Sequence, residues 1–124
     1  MKTTNNYQKG DKDVRPWGTW EVLNSGSGYC IKQITVYPGK KLSLQVHQHR
    51  DEKWIIVQGH AVVTLGSKDC RRDAIIGDVI SITKQVIHRI QNPGSHELVF
   101  IEIQSGDILD ENDITRLEDE YGRL

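Results

Sequence analysis

The chain has 124 residues, 36% hydrophobic and 27% charged, which is enough to bury an apolar core as one domain without help from disulfides. Its formal net charge of −1 and the lack of any long block of like charge exclude a whole-chain pull toward nucleic acid or anionic membrane, so any phosphate binding must come from local placement of Arg and Lys. Cys30 and Cys70 form no C-x-x-C pair and read as reduced thiols, and the N-terminus holds no apolar run long enough for a signal peptide or a membrane span; both point to a cytoplasmic protein.

Residues 1–13 are polar and without period, and they are predicted to form a flexible N-terminal arm ahead of a single domain over 14–124. From Arg15-Pro16-Trp17-Gly18 onward, Gly and Pro interrupt the chain at short intervals. Between them lie runs rich in Val, Ile, Thr, Trp and Tyr: Trp17–Leu23, Tyr29–Tyr37, Leu42–His49, Lys53–Val57, Ala61–Leu65, Val79–Ile82, Arg89–Gln91 and Leu98–Gln104. Short strands with frequent turn signals predict an all-β sandwich or barrel. No segment before residue 107 carries a helical stripe that could serve as a crossover, which argues against a parallel α/β fold.

Side chains in a strand alternate between two faces. In Tyr29–Tyr37, Lys32 shares a face with Ile34 and Val36, so its ammonium either lines a cavity or reaches to the strand end. In Leu42–His49, Leu42, Leu44 and Val46 share one face, and Ser43, Gln45, His47 and His49 the other. Two histidines one pleat apart would let both imidazoles converge on one ion. In Leu98–Gln104, Glu102 has the parity of Phe100 and Gln104, which makes it a candidate cavity carboxylate. At the C-terminus, Asp110 or Asn112 can cap a short helix whose Ile114, Leu117 and Tyr121 fall on one face.

The centre of the chain reads H-x-H at His47 and His49, then Glu52, then Gly59 after six residues; Gly77, His88 and Asn92 follow. This resembles the two consensus motifs of the cupin superfamily, which implies a double-stranded β-helix, or jelly-roll barrel. It also implies a metal held by His47, His49, Glu52 and His88. Three imidazoles and a carboxylate suit one first-row divalent ion, with Zn expected and Mn, Fe, Co or Ni as alternatives. The sequence departs from the consensus at Thr83 and Gln85, which stand where a Pro and a Gly usually precede the second-motif histidine.

The likeness extends beyond those motifs. Arg15-Pro16-Trp17-Gly18, Leu42-Ser43-Leu44-Gln45, His47-Gln48-His49-Arg50, His88-Arg89, Asn92-Pro93-Gly94, Ile101-Glu102-Ile103-Gln104-Ser105-Gly106 and the ending Asp113–Arg123 look like type II mannose-6-phosphate isomerases, over about residues 14–123. In that family the module stands alone or follows a mannose-1-phosphate guanylyltransferase; this sequence has no nucleotidyltransferase portion, and guanylyl transfer is not expected of it. The resemblance implies interconversion of mannose 6-phosphate and fructose 6-phosphate through a cis-enediol. It leaves Glu102 as the candidate proton carrier, Lys32, Arg50 and Arg89 as candidates for holding the phosphate, and Gln45 as a further ligand or a partner of a sugar hydroxyl. Cupins commonly pair through edge strands, which implies a homodimer. A non-catalytic sugar- or metal-binding cupin and an iron-dependent oxygenase are the alternatives.

Overall fold

A computed structural model describes residues 3–123. Among them every regular element is a strand: β1 (Thr4–Asn5), β2 (Lys12–Arg15), β3 (Gly18–Gly26), β4 (Tyr29–Val36), β5 (Leu44–Val46), β6 (Arg50–Gln58), β7 (Ala61–Leu65), β8 (Arg71–Ala74), β9 (Val79–Ile82), β10 (His88–Gln91), β11 (Leu98–Gly106), β12 (Ile108–Leu109) and β13 (Thr115–Glu118). They form a six-stranded sheet, β2-β3-β4-β11-β6-β9, facing a five-stranded sheet, β13-β5-β10-β7-β8, with β1 and β12 paired in a short parallel ribbon. All pairing within the two large sheets is antiparallel.

The register of the central strands gives the barrel an apolar end and a polar end. On β11, Leu98, Phe100, Glu102 and Gln104 all point inward and are buried. Leu98 lies opposite Val36, and Phe100 opposite Ile34 and Ile56; one pleat further, Glu102 lies opposite Lys32 and Trp54, and Gln104 opposite Cys30 and Glu52. Each strand therefore passes from core to cavity along one face. The apolar rows close against Val63 and Ile90 from the facing sheet. Phe100, Ile56 and Ile90 are almost wholly enclosed, each worth roughly 1.5–3 kcal/mol of burial.

Three sequence expectations are corrected here. The predicted C-terminal helix is a strand: β13 pairs with β5, Thr115 opposite Val46 and Arg116 opposite Gln45. A helix of that length is marginal in water, whereas the strand satisfies the backbone edge of β5. Asp110 caps no helix; its side chain accepts from the Asn112 amide and its carbonyl from the Asp113 amide in a turn. The predicted arm over 1–13 is packed within its described part. β1 pairs with β12, β2 pairs with β3, and Tyr7 is buried with Val22, Cys30 and Leu109. The domain thus begins before residue 14, because one aromatic ring, which leaves no periodic trace in the sequence, fixes the segment. The strand expected over Leu42–His49 is confined to Leu44–Val46, and the chain bends at Gln48 and His49.

Candidate functional site

His47 follows β5, Glu52 lies on β6 and His88 opens β10, and all three are buried. One ligand atom from each falls within a cluster no more than 4.8 Å across. His47 Nε2 is 3.2 Å from Glu52 Oε2, and His88 Nε2 is 4.0 Å from Glu52 Oε1. The other ring nitrogens face backbone carbonyls, Nδ1 of His47 on Asp113 at 2.6 Å and Nδ1 of His88 on Val86 at 2.9 Å. A carbonyl only accepts, so both Nδ1 atoms carry the proton and both Nε2 lone pairs turn toward the carboxylate. That tautomer and orientation are what a metal-binding imidazole needs. The donor set of two imidazoles and a carboxylate fits a first-row divalent ion.

Arg50, buried beside this cluster, donates to the same two groups: Nε to Glu52 Oε2 at 2.8 Å and Nη2 to His47 Nε2 at 3.3 Å. Burial, then Arg50 and His88, push the His47 imidazole down to about 3, so it stays neutral at ordinary pH. Burial pushes Glu52 up, but Arg50 and His88 outweigh it and hold the carboxyl at about 2. The turn into His88 passes through Gln85 with φ of 67°, the left-handed conformation that the more usual glycine adopts freely. Gln85 accepts that strain while its amide donates to the His47 carbonyl at 2.8 Å.

Glu102 stands beside the cluster. Trp54 Nε1 donates to Glu52 Oε1 at 3.0 Å and to Glu102 Oε1 at 3.2 Å, and Gln104 Nε2 donates to Glu102 Oε2 at 2.9 Å. Burial first, and the Glu52 charge second, raise the Glu102 carboxyl to about 7. Two adjacent carboxyls thus have their proton affinities driven apart, the pattern that separates a fixed anion from a proton carrier.

From Glu102 and Arg50 the cavity opens into a cleft lined also by Trp17, Trp20, Lys32, Gln45, Arg15, Glu111, Arg116 and Arg123. Lys32 is buried there, as one of the two sequence readings required, with its ammonium 4.0 Å from the Tyr7 ring centre and 4.3 Å from that of Trp20. Gln45 lines the cleft and donates to Ser43. Arg116 and Arg123 were not singled out in the sequence, because the expected helix hid which way β13 would face. Burial, then the nearby Arg123 charge, disfavour the charged form of Arg116, whose Nε is buried with no hydrogen-bond partner among the described residues.

Two predicted site residues lie elsewhere. His49 is exposed, its Nδ1 3.7 Å from Asp107, and is not among the clustered donors. The Asp113 carboxylate accepts from the Gln48 and His49 amides, which breaks the strand and with it the alternation. Gly106 lets β11 cross close at that point, since a side chain there would run into the His49 carbonyl. Arg89 follows His88 on a strand and so faces the other way, donating to the Leu42 carbonyl at 2.9 Å and to Glu118 at 3.1 Å, outside the cleft. His60 and His96 are surface residues, as expected.

Two facing antiparallel sheets with a His/Glu/His group at the polar end define a cupin. A double-stranded β-helix protein from Klebsiella pneumoniae superposes with a TM-score of 0.72 at 18% identity, over 86% of this chain and 91% of that one. The oxalate decarboxylase of Lactobacillus farciminis gives the same TM-score, 0.72, at 23% identity, over 86% of this chain and 33% of that one. At the level of sequence, the family model described as mannose-6-phosphate isomerase C-terminal matches residues 2–119, and the chain belongs to that family. The alginate biosynthesis protein AlgA of Pseudomonas aeruginosa is 47% identical over 109 residues, which is 88% of this chain and 22% of that protein. A mannose-1-phosphate guanylyltransferase of Escherichia coli is 41% identical over 112 residues, 89% of this chain and 23% of that protein. The chain thus spans less than a quarter of the length of these two curated relatives.

Proposed function

We propose that this chain interconverts mannose 6-phosphate and fructose 6-phosphate. The observation that carries the reading is a cleft whose lining joins the buried Glu102 carboxyl to a cationic mouth, with the His/Glu/His group directly behind it, linked through Arg50 and Trp54. Lys32, Arg15, Arg116 and Arg123 would hold the phosphate, and Arg supplies paired donors suited to it. Fixing the phosphate immobilises C1 and C2, which is where orientation contributes to rate. Glu102 would carry the proton between those carbons, its affinity matched to neutral pH. His47, Glu52 and His88 would hold a divalent ion, which when bound polarises the substrate oxygens as a Lewis acid. Trp54 and Gln104 keep Glu102 aimed, one hydrogen bond on each oxygen.

One contact favours a second reading, binding without turnover: Arg50 donates to the same two groups that a metal would use. A coupled assay separates the two. With Zn²⁺, Mn²⁺, Co²⁺ or Ni²⁺ supplied, fructose 6-phosphate should form from mannose 6-phosphate, and Glu102→Gln should lower kcat by about 10²-fold or more with a smaller change in KM. Sugar-phosphate binding with no product under any of those metals would replace the isomerase reading with the second one.

A further inference from the structure

The turn between β12 and β13 carries Glu111 into the mouth of the cleft. Its Oε2 accepts from the Tyr7 hydroxyl at 2.9 Å and lies 3.7 Å from the Lys32 ammonium, while Oε1 accepts from Arg15 Nη2 at 3.3 Å. Two oxygens shared among three donors, two of them cationic, are what one face of a bound phosphate would take. Lys32 is 4% exposed at its side chain, faces the Tyr7 and Trp20 rings and stands opposite Glu102 on β11, but the carboxylate paired with its ammonium is that of Glu111. Glu111 differs from the other carboxylate of the cleft, Glu102, in being 43% exposed and hung on a turn, so it can leave without opening the barrel.

We propose that Glu111 is a resident carboxylate that fills the phosphate position of the empty cleft, is displaced when a phosphorylated substrate binds, and thereby selects phosphorylated over unphosphorylated sugars. This rests on the phosphate-binding reading above. A neutral sugar brings no charge to replace the carboxylate on Lys32 and Arg15, so the exchange runs uphill. A phosphate dianion replaces one negative charge with nearly two and keeps all three donors occupied. Selectivity of this kind is a difference of two affinities, set partly by what is penalised. The remainder of the turn is held independently: Arg50 Nη1 donates to the Asp110 carbonyl at 3.3 Å, and His47 Nδ1 to that of Asp113 at 2.6 Å. Only the Glu111 side chain has to move.

The test titrates inorganic phosphate, mannose 6-phosphate and mannose into the wild-type chain, Glu111→Gln and Tyr7→Phe by calorimetry, with thermal melts in parallel. Glu111→Gln should bind phosphate and mannose 6-phosphate about two- to fivefold tighter. Its ligand-free Tm should fall, and added phosphate should raise it by more than it raises the wild type, because the missing counter-ion is supplied by the ligand. Tyr7→Phe, which takes the same donor from the carboxylate and from a bound phosphate and keeps the ring, should leave phosphate affinity within about twofold of the wild type. Folded Glu111→Gln binding phosphate equally or more weakly overturns the inference, as does a lack of phosphate binding by both proteins. Tighter phosphate binding by Glu111→Gln with no isomerisation by the wild type sinks only the isomerase reading. Isomerisation with unaltered phosphate affinity in Glu111→Gln sinks only the gate.

Discussion

Glu52, behind the cleft, and Glu111, at its mouth, are both carboxylates paired with an arginine, but they are held in opposite ways. Glu52 sits in the third position of a long strand, its side chain 2% exposed, with Arg50, Trp54, His47 and His88 around it. Glu111 hangs from a turn, 43% exposed, and meets Tyr7 and Arg15 from the N-terminal segment and Lys32 from β4. The wall of the cleft is made by strand register and is fixed by the same packing that folds the barrel. The mouth is made by β2, β13 and the turns around them, where long side chains trade partners at small cost. The comparison teaches that a buried polar wall can stay rigid because sheet pairing sets it, while adaptability is confined to elements added at the rim.

The comparison breaks most readily on stability. Glu52→Ala removes the carboxylate from a buried guanidinium and should cost roughly 3–5 kcal/mol, read from urea denaturation. Equal losses from Glu111→Ala and Glu52→Ala would erase the distinction between wall and mouth, since the exposed pair of Glu111 with Arg15 is worth about 1 kcal/mol at most and Lys32 keeps Glu102 opposite it.

Next comes pH. The His47 imidazole is lowered from 6.5 to about 3, so its contribution is complete above 6.5 and is lost as pH falls toward 3. Glu52, lowered from 4.5 to about 2, adds to that acid loss only below 4.5. Glu102 works the other way: raised from 4.5 to about 7, its contribution is complete below 4.5 and is lost as pH rises through 7. Metal-free protein should therefore have its highest denaturation midpoint in weakly acidic solution. Glu102→Gln should flatten the alkaline side, and Arg15→Gln at the mouth should leave the profile's shape alone. A profile that keeps its alkaline decline in Glu102→Gln would show that the wall does not titrate as described.

The smallest effect sharpens the boundary of the wall. His49→Ala should change stability by less than about 0.5 kcal/mol and leave Zn²⁺ affinity as in the wild type, whereas His88→Ala should abolish Zn²⁺ binding in the same titration. Loss of Zn²⁺ binding in His49→Ala would return that residue to the donor group.

Much of the wall was legible in the sequence, because strands β4, β6, β10 and β11 obey a period of two. Lys32 among apolar neighbours, Glu102 in step with Phe100, and Glu52 and His88 in their motifs all fall where that period puts them. His49 was misplaced because the alternation stops one residue after His47, and the cause is Asp113, more than 60 positions away and invisible in a local pattern. Arg89 was named on the resemblance alone, and the period of two places it elsewhere, since the neighbour of an inward residue on a strand points outward. Arg116, Arg123 and Glu111 were lost because helical spacing of Ile114, Leu117 and Tyr121 outweighed the demand of β5 for a pairing partner. Nothing in residues 1–13 signals that Tyr7 will be buried, because a lone aromatic has no period.

The parallel ribbon of β1 with β12 has a practical consequence. Thr4 donates its amide to the Asp107 carbonyl at 2.7 Å, so the segment that carries Tyr7 and Arg15 to Glu111 is tied down ahead of them as well as by β3 behind. A version trimmed back to Trp17 would discard Tyr7 and Arg15, and with them two of the three donors to Glu111, while sparing every apolar row of the barrel.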